Sequence, residues 1–259
     1  MPITASFDPY TAEVITPAQT VQPVADFPDT IIVTFQPRTI ATLGEGRDTT
    51  WVTRIILEEA IDDDQRLTTP GNVHTFSHDG RTIGAYLSPI GAPGTVAAME
   101  QAIAHGTRRF VVFGSCGALV PRLATGGVIV PTAAYRDEGT SYHYAAPSDY
   151  LAVATAAKTD AILTELGVAH TLGRVWTTDA FYRETQANLA KRVTEGCVAV
   201  DMETSALAAL AQFRGVAVHH FLYAADTLAD GWDCGTLGTL PAEPRARYVR
   251  IAAELAVRL

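Results

Sequence analysis

Two carboxylates, Asp201 and Glu203, flank Met202 where the β-branched run Val198-Ala199-Val200 gives way to a helical pattern. A single carboxylate carries two acceptor oxygens at a separation that suits both hydroxyls of a vicinal diol, and Glu203 is the candidate for that contact. A structural use is equally open: Asp201 as a helix cap and Glu203 against the N-terminal helix dipole. A third carboxylate, Asp226, follows the run His219-His220-Phe221-Leu222-Tyr223-Ala224-Ala225. Beyond a buried strand a carboxyl group is desolvated and holds its proton to higher pH, which is what a general acid needs. A turn or cap would explain it more simply.

Three further segments carry groups that can meet a small ligand. Gly91-Ala92-Pro93-Gly94-Thr95 is a run of small residues whose amides can approach an anion, with Thr95 placed to cap the next helix. It also reads as an ordinary tight turn. Gly114-Ser115-Cys116-Gly117 sets a hydroxyl and a thiol between glycines after Phe110-Val111-Val112-Phe113. As a turn it would present Ser115, while Cys116 fits a small buried residue better than a nucleophile. The spacing is not that of a Gly-x-Ser-x-Gly nucleophile elbow. Thr177-Thr178-Asp179-Ala180-Phe181-Tyr182 brings two adjacent aromatics to a strand end, where one face can stack on a planar ring and the other pack structurally.

The elements that position these groups alternate between β-branched runs and helical periodicity. Strands are expected at 31–35, 82–87, 110–113, 127–131 (stopped by Pro131), 171–177, 198–200 and 216–223, with helices at 54–60, 96–105, 150–166 and 203–214. Tyr248, Ile251, Ala252, Leu255 and Leu259 form one apolar stripe on a closing helix. The alternation predicts an α/β fold in which a central mixed, twisted sheet is flanked by helices in three layers. Residues 1–29, rich in Thr, Pro and Ala, are expected as an extended arm, and 30–259 as one domain.

Composition narrows the classes of partner. A net charge of −9 over 259 residues opposes binding to a nucleic-acid backbone, which draws on Lys and Arg. A small-molecule ligand is expected instead. No run approaches the roughly 18 apolar residues that span a bilayer, and Met1 to Val14 lacks a secretory pattern, so the expectation is a cytoplasmic protein without membrane contact. Cys116, Cys197 and Cys234 are widely spaced, giving neither a disulfide framework nor a metal site.

Together, Gly114-Ser115-Cys116-Gly117-Ala118-Leu119, Asp179-Ala180-Phe181-Tyr182 and Val200-Asp201-Met202-Glu203, in that order, resemble the nucleoside phosphorylase and uridine phosphorylase superfamily. That group includes purine nucleoside phosphorylases and methylthioadenosine nucleosidases. Arg136 to Tyr144 is similar to a segment of uridine phosphorylases. The resemblance implies cleavage of a nucleoside's N-glycosidic bond, with inorganic phosphate as co-substrate, no cofactor, and a homo-oligomer, dimer or hexamer. By position it implies Met202 and Glu203 at the ribose, Cys116, Gly117 and Phe181 at the base, and Asp226 as catalytic acid. Gly91, Thr95 and Ser115 fall at the acceptor. Arg183-Glu184-Thr185-Gln186-Ala187 replaces the stretch with which uridine phosphorylases read uracil, which favours a purine. Two family arginines of the phosphate site are missing: Phe35-Gln36-Pro37-Arg38 stands at one place and Val112 at the other. Arg38, Arg47 or Arg81 is left to compensate. A phosphate-independent nucleosidase and a non-catalytic nucleoside-binding protein are therefore the alternatives.

Overall fold

Alternate residues of two central strands point into two different cores, and this sorts the molecule into layers. The computed structural model describes residues 3–55, 64–123 and 125–259. After one turn of 3-10 helix (Ile3–Ala5) and the four-residue helix α1 (Pro17–Thr20) come β1 (Thr30–Thr34), α2 (Pro37–Gly44), β2 (Thr50–Arg54), β3 (Asn72–His78) and β4 (Arg81–Leu87). Helix α3 (Ala92–His105), β5 (Arg109–Ala118), β6 (Val128–Asp137), α4 (Ser141–Tyr144), β7 (Tyr150–Ala152) and α5 (Ala156–Glu165) follow. The chain continues through β8 (His170–Thr178), a 3-10 turn (Phe181–Arg183), α6 (Gln186–Thr194), β9 (Cys197–Asp201), α7 (Thr204–Arg214), β10 (Ala217–Thr227) and α8 (Ala242–Val257).

On one face Ile32, Val111 and Phe113 pack with Ile40 and Leu43 of α2, Leu163 of α5, and Tyr248, Ala252 and Leu255 of α8. On the other, Ile31, Val33, Phe110 and Val112 pack with Val96 and Met99 of α3 and Leu207 and Leu210 of α7. Because side chains alternate along a strand, a run that is apolar at every position must be covered on both sides. This is the expected three-layer arrangement around a mixed sheet.

The sheet also closes on itself. Its order is β10-β6-β8-β9-β5-β1-β4-β3-β2, and β10 pairs with β5 as well as β6. Five strands thus form a ring, β5-β10-β6-β8-β9, with β10–β5, β6–β8 and β8–β9 parallel and β10–β6 and β5–β9 antiparallel. Strands β1, β4, β3 and β2 extend from it as an open wing.

Several local expectations change. Gly114 to Gly117 is not a turn: β5 stays extended to Ala118, with Ser115 and Cys116 opposite Tyr223 and Ala224 of β10. Pro131 does not end its strand. β6 runs to Asp137 and absorbs the missing N–H donor as a register shift between Pro131 and Ala133. The region 150–166 splits into β7, which pairs with β6, and α5. Arg54 closes strand β2 rather than opening a helix, and residues 56–60 of that expectation lie outside the described residues. Strand β3 escaped the pattern reading, since Asn, His, Thr and Ser break its apolar run. Within residues 1–29 the arm is not wholly extended; it carries α1, and Glu13 pairs with Arg214 at 2.6 Å. Of the closing stripe, Leu259 falls beyond the end of α8.

Candidate active site

Register places the chemical groups side by side. Gly117 of β5 pairs with Asp226 of β10 on one side and with Val200 of β9 on the other. Asp226 is not beyond its strand, as the sequence suggested, but inside it. Between Ala224 and Asp226 the register shifts by one residue, so Ala225 is a bulge. The extra residue turns Asp226 onto the face of Gly117, opposite that of Ala224. A Cβ on Gly117 would lie 2.6 Å from Leu228 Cδ1 and 3.6 Å from Asp226 Oδ1, so glycine keeps that space open.

The resulting cavity has a volume of about 720 Å³, within the range of small-molecule sites and enough for a nucleoside with a small anion. Ser115, Cys116, Gly117, Phe181, Met202, Glu203 and Asp226 all line it, so seven of the nine candidate residues converge. Gly91 and Thr95 do not. Thr95 is fully buried inside α3 rather than capping it, and its hydroxyl donates to Pro89 O at 3.1 Å; Gly91 is the residue at the cap position. The amide of Gly91 donates to Glu203 Oε1 at 2.6 Å. The loop therefore meets the site through Glu203.

Asp201 and Glu203, both buried, divide the structural and cavity-facing roles. Asp201 Oδ2 accepts from the amide and hydroxyl of Thr204 at 2.9 and 2.5 Å, and its Oδ1 accepts from Thr177 at 2.8 Å. It caps α7, and its acceptor capacity is largely used. The amide of Ser205 is held by Thr177, and the Ser205 hydroxyl by Glu138. These bonds fix the start of α7 and hence Glu203, which immediately precedes it. Burial raises the Glu203 pKa, and the neighbouring Asp201 charge raises it further. Asp201 is raised by burial and pulled back by its hydroxyl and amide donors.

At the other end, burial raises the Asp226 pKa while Trp232 Nε1 donates to Oδ2 at 3.0 Å and opposes the rise. Glu184 also lines the cavity; burial and the nearby Asp226 push its pKa up to about 7. The Cys116 thiol is pushed well above its usual value by burial and by Asp201 and Asp226, which makes it a poor nucleophile. Phe181 is 38% exposed, lies in a T-shaped pair with Tyr182, and lines the cavity.

Among Arg38, Arg47 and Arg81, Arg38 lines the cavity, beside Gln36 and Pro37. Arg47 donates to Leu43 O and Arg81 to Val257 O, both outside the site. Arg136 is taken up by Ser141 and by the carbonyls of Ala145 and Ala146. Glu184 and Trp232 are site residues that the sequence did not single out: Glu184 sits in the stretch 183–187 that replaces the uracil-reading one, without a mark of its own, and Trp232 lies in no recognisable pattern. One group with metal-ligand side chains, His78, Asp79 and Glu254, lies away from the cavity, and Arg258 already engages Glu254 at 2.5 Å.

A mixed sheet that gathers carboxylates, an aromatic ring and a methionine at its strand ends defines an α/β ligand-binding class. The family model described as the phosphorylase superfamily matches residues 53–258, and the chain belongs to that superfamily. It is 38% identical over 112 residues to a uridine phosphorylase of Thermococcus kodakarensis, covering 42% of this chain and 40% of the relative. It is 30% identical over 146 residues to a guanosine phosphorylase of Halorubrum lacusprofundi, covering 54% and 59%. These matches thus span between two fifths and three fifths of those relatives' lengths. A DeoD-type purine nucleoside phosphorylase of Alkaliphilus metalliredigens is 29% identical over 190 residues, covering 70% of this chain and 79% of the relative. In structure the chain resembles a purine nucleoside phosphorylase from Toxoplasma gondii solved with immucillin-H, at a TM-score of 0.71, 20% identity and coverage of 90% and 92%. That likeness concerns the fold. No described helix is long and apolar enough to cross a membrane.

Proposed function

We propose that the chain is a purine-type nucleoside phosphorylase that transfers a ribosyl group from the base to inorganic phosphate, giving free base and ribose 1-phosphate. The observation that carries this reading is the convergence of Phe181, Met202 and Glu203 with Asp226 in one cavity. Glu203, already bonded to Gly91 through Oε1, offers its carboxylate to the ribose hydroxyls, and Met202 packs beneath the sugar. Phe181 covers the base, with Cys116 and Gly117 along its edge. Asp226 donates a proton to purine N7 as the glycosidic bond breaks, so the leaving base departs neutral. The ribosyl then carries oxocarbenium character, which the neighbouring carboxylates stabilise electrostatically. Phosphate attacks from the side of Ser115 and Arg38, and no cofactor or metal takes part. The enzyme works in the cytoplasm as a homo-oligomer.

A hydrolytic reading has its own support: among the described residues Arg38 is the one arginine lining the cavity, and an anion binds most firmly to several charge-assisted donors. Incubating the purified protein with guanosine, adenosine, inosine and uridine, each with and without phosphate, separates the two. Base release and ribose 1-phosphate that depend on phosphate are expected. Release at the same rate without phosphate would establish a nucleosidase, and binding without turnover a non-catalytic protein.

A further inference from the structure

The base end of the cavity contains a second carboxyl group that the proposed reaction does not use. Glu184 follows the 3-10 turn carrying Phe181, is half-buried, and lines the same space as Asp226. The charged groups facing this space are Asp226 from β10, Asp201 and Glu203 from the β9–α7 junction, and Arg38 from α2. Asp226 is bonded to Trp232, Asp201 to Thr177 and Thr204, and Glu203 to Gly91. Glu184 has no comparable partner assigned among the described residues. A carboxylate accepts hydrogen bonds and donates none, so the ligand edge it meets must carry N–H groups.

We infer that Glu184 is a specificity residue that accepts a hydrogen bond from the exocyclic amine at C6, the position next to the N7 that Asp226 meets, selecting 6-aminopurine nucleosides over 6-oxopurines. This rests on the purine nucleoside reading above and assigns its substrate class. Asp226 serves every purine alike through N7, whereas Glu184 distinguishes among them. Adenine carries an amine at C6, beside N7, whereas hypoxanthine and guanine carry a carbonyl oxygen there, with their N1–H one position further round the ring. Uracil sets two carbonyl oxygens around its single ring N–H, and those oxygens would face a carboxylate unfavourably. Loss of a charge-assisted bond of this kind corresponds to about a 10- to 100-fold change in kcat/KM. Near and below pH 7, where Glu184 takes up a proton, its hydroxyl can donate to a carbonyl and the discrimination narrows. Protonation of Asp226, Asp201 or Glu203 affects all purine nucleosides in common, so it cancels in the ratio between two of them.

The test compares kcat/KM for adenosine, guanosine and inosine at pH 6 and pH 8 in the wild-type chain, Glu184→Ala and Glu184→Gln. Calorimetric binding of the same nucleosides is measured in parallel. At pH 8 the wild type should favour adenosine over both inosine and guanosine by about 10-fold or more. The preference should shrink at pH 6 and fall below about 3-fold in Glu184→Ala, mainly through KM. Equal use of inosine by the wild type, or a preference unchanged in Glu184→Ala, overturns the assignment while leaving nucleoside cleavage intact. If no nucleoside is cleaved, the phosphorylase reading fails, and the binding ratios still decide the role of Glu184.

Discussion

Replacing Glu203 by glutamine should move stability and substrate recognition in opposite directions. Glu203 is 7% exposed, accepts one amide at 2.6 Å, and sits near the buried carboxylate of Asp201. Both burial and that charge hold its pKa above the ordinary carboxylate range, so the folded state disfavours the ionised form. Below the unfolded-state pKa both states are protonated, and the wild type and the variant should be equally stable. As pH rises the unfolded chain ionises first, and the wild type loses stability until the folded group ionises too. One pKa unit is worth about 1.4 kcal/mol. Glutamine carries no such cost, so the variant should be at least ~1 kcal/mol more stable at pH 8, a gain of roughly 2 to 4 °C in Tm for a chain of this length. The amide can still accept from Gly91, yet it offers one oxygen where the carboxylate has two. Above its raised pKa, where Glu203 is ionised, losing one charge-assisted bond to a ribose hydroxyl costs about 1.5 to 3 kcal/mol, or about 10- to 150-fold in kcat/KM. Thermal unfolding at pH 4 and pH 8, together with steady-state kinetics, reads both effects. A variant that is no more stable at pH 8 refutes the electrostatic argument, and one with unaltered kinetics removes Glu203 from the sugar site.

Asp226→Asn should lower kcat on purine nucleosides by about 100-fold or more with little change in KM, since general acid catalysis contributes about 10²–10⁴; single-turnover base release measures it. Trp232→Phe removes the donor that lowers the Asp226 pKa, so the alkaline limb of the kcat/KM profile should move to higher pH, and a fixed limb would disprove the coupling. Arg38→Met should raise the KM for phosphate about 10-fold or more while leaving nucleoside binding within about 2-fold, as expected for a cation that meets only the anion. Away from the site, a Cβ on Gly173 would lie 2.3 Å from Val198 Cγ2. Gly173→Ala should therefore cost about 1 to 3 kcal/mol in urea unfolding, with much of the loss recovered by adding Val198→Ala.

The sequence by itself determined the α/β alternation, because the apolar runs 31–33 and 110–113 fill both faces of their strands, and helical periodicity marks the helices between them. It also located the Asp201-Met202-Glu203 junction, since a change from β-branched residues to helical spacing is local and visible. Strand ends were less legible. Pro131 and Gly114 have the composition of terminators, but their strands continue because Pro131 pairs with Gly173 of β8 and Gly114 with Leu222 of β10. The division of labour between the two junction carboxylates was likewise hidden, because it depends on Thr177, 24 residues away from Asp201.

Only the tertiary structure decided that β10 pairs with both β5 and β6, closing the ring that brings Gly117, Val200 and Asp226 together. The bulge at Ala225, which sets the face of Asp226, is a property of register between two strands more than 100 residues apart. Likewise Glu184 gains its place in the site from the cavity and from Asp226, not from its neighbours in the chain. Local sequence encodes the period of burial and the chemistry each side chain can offer. Which of those side chains face one another is settled by long-range pairing, whose partners no local pattern names.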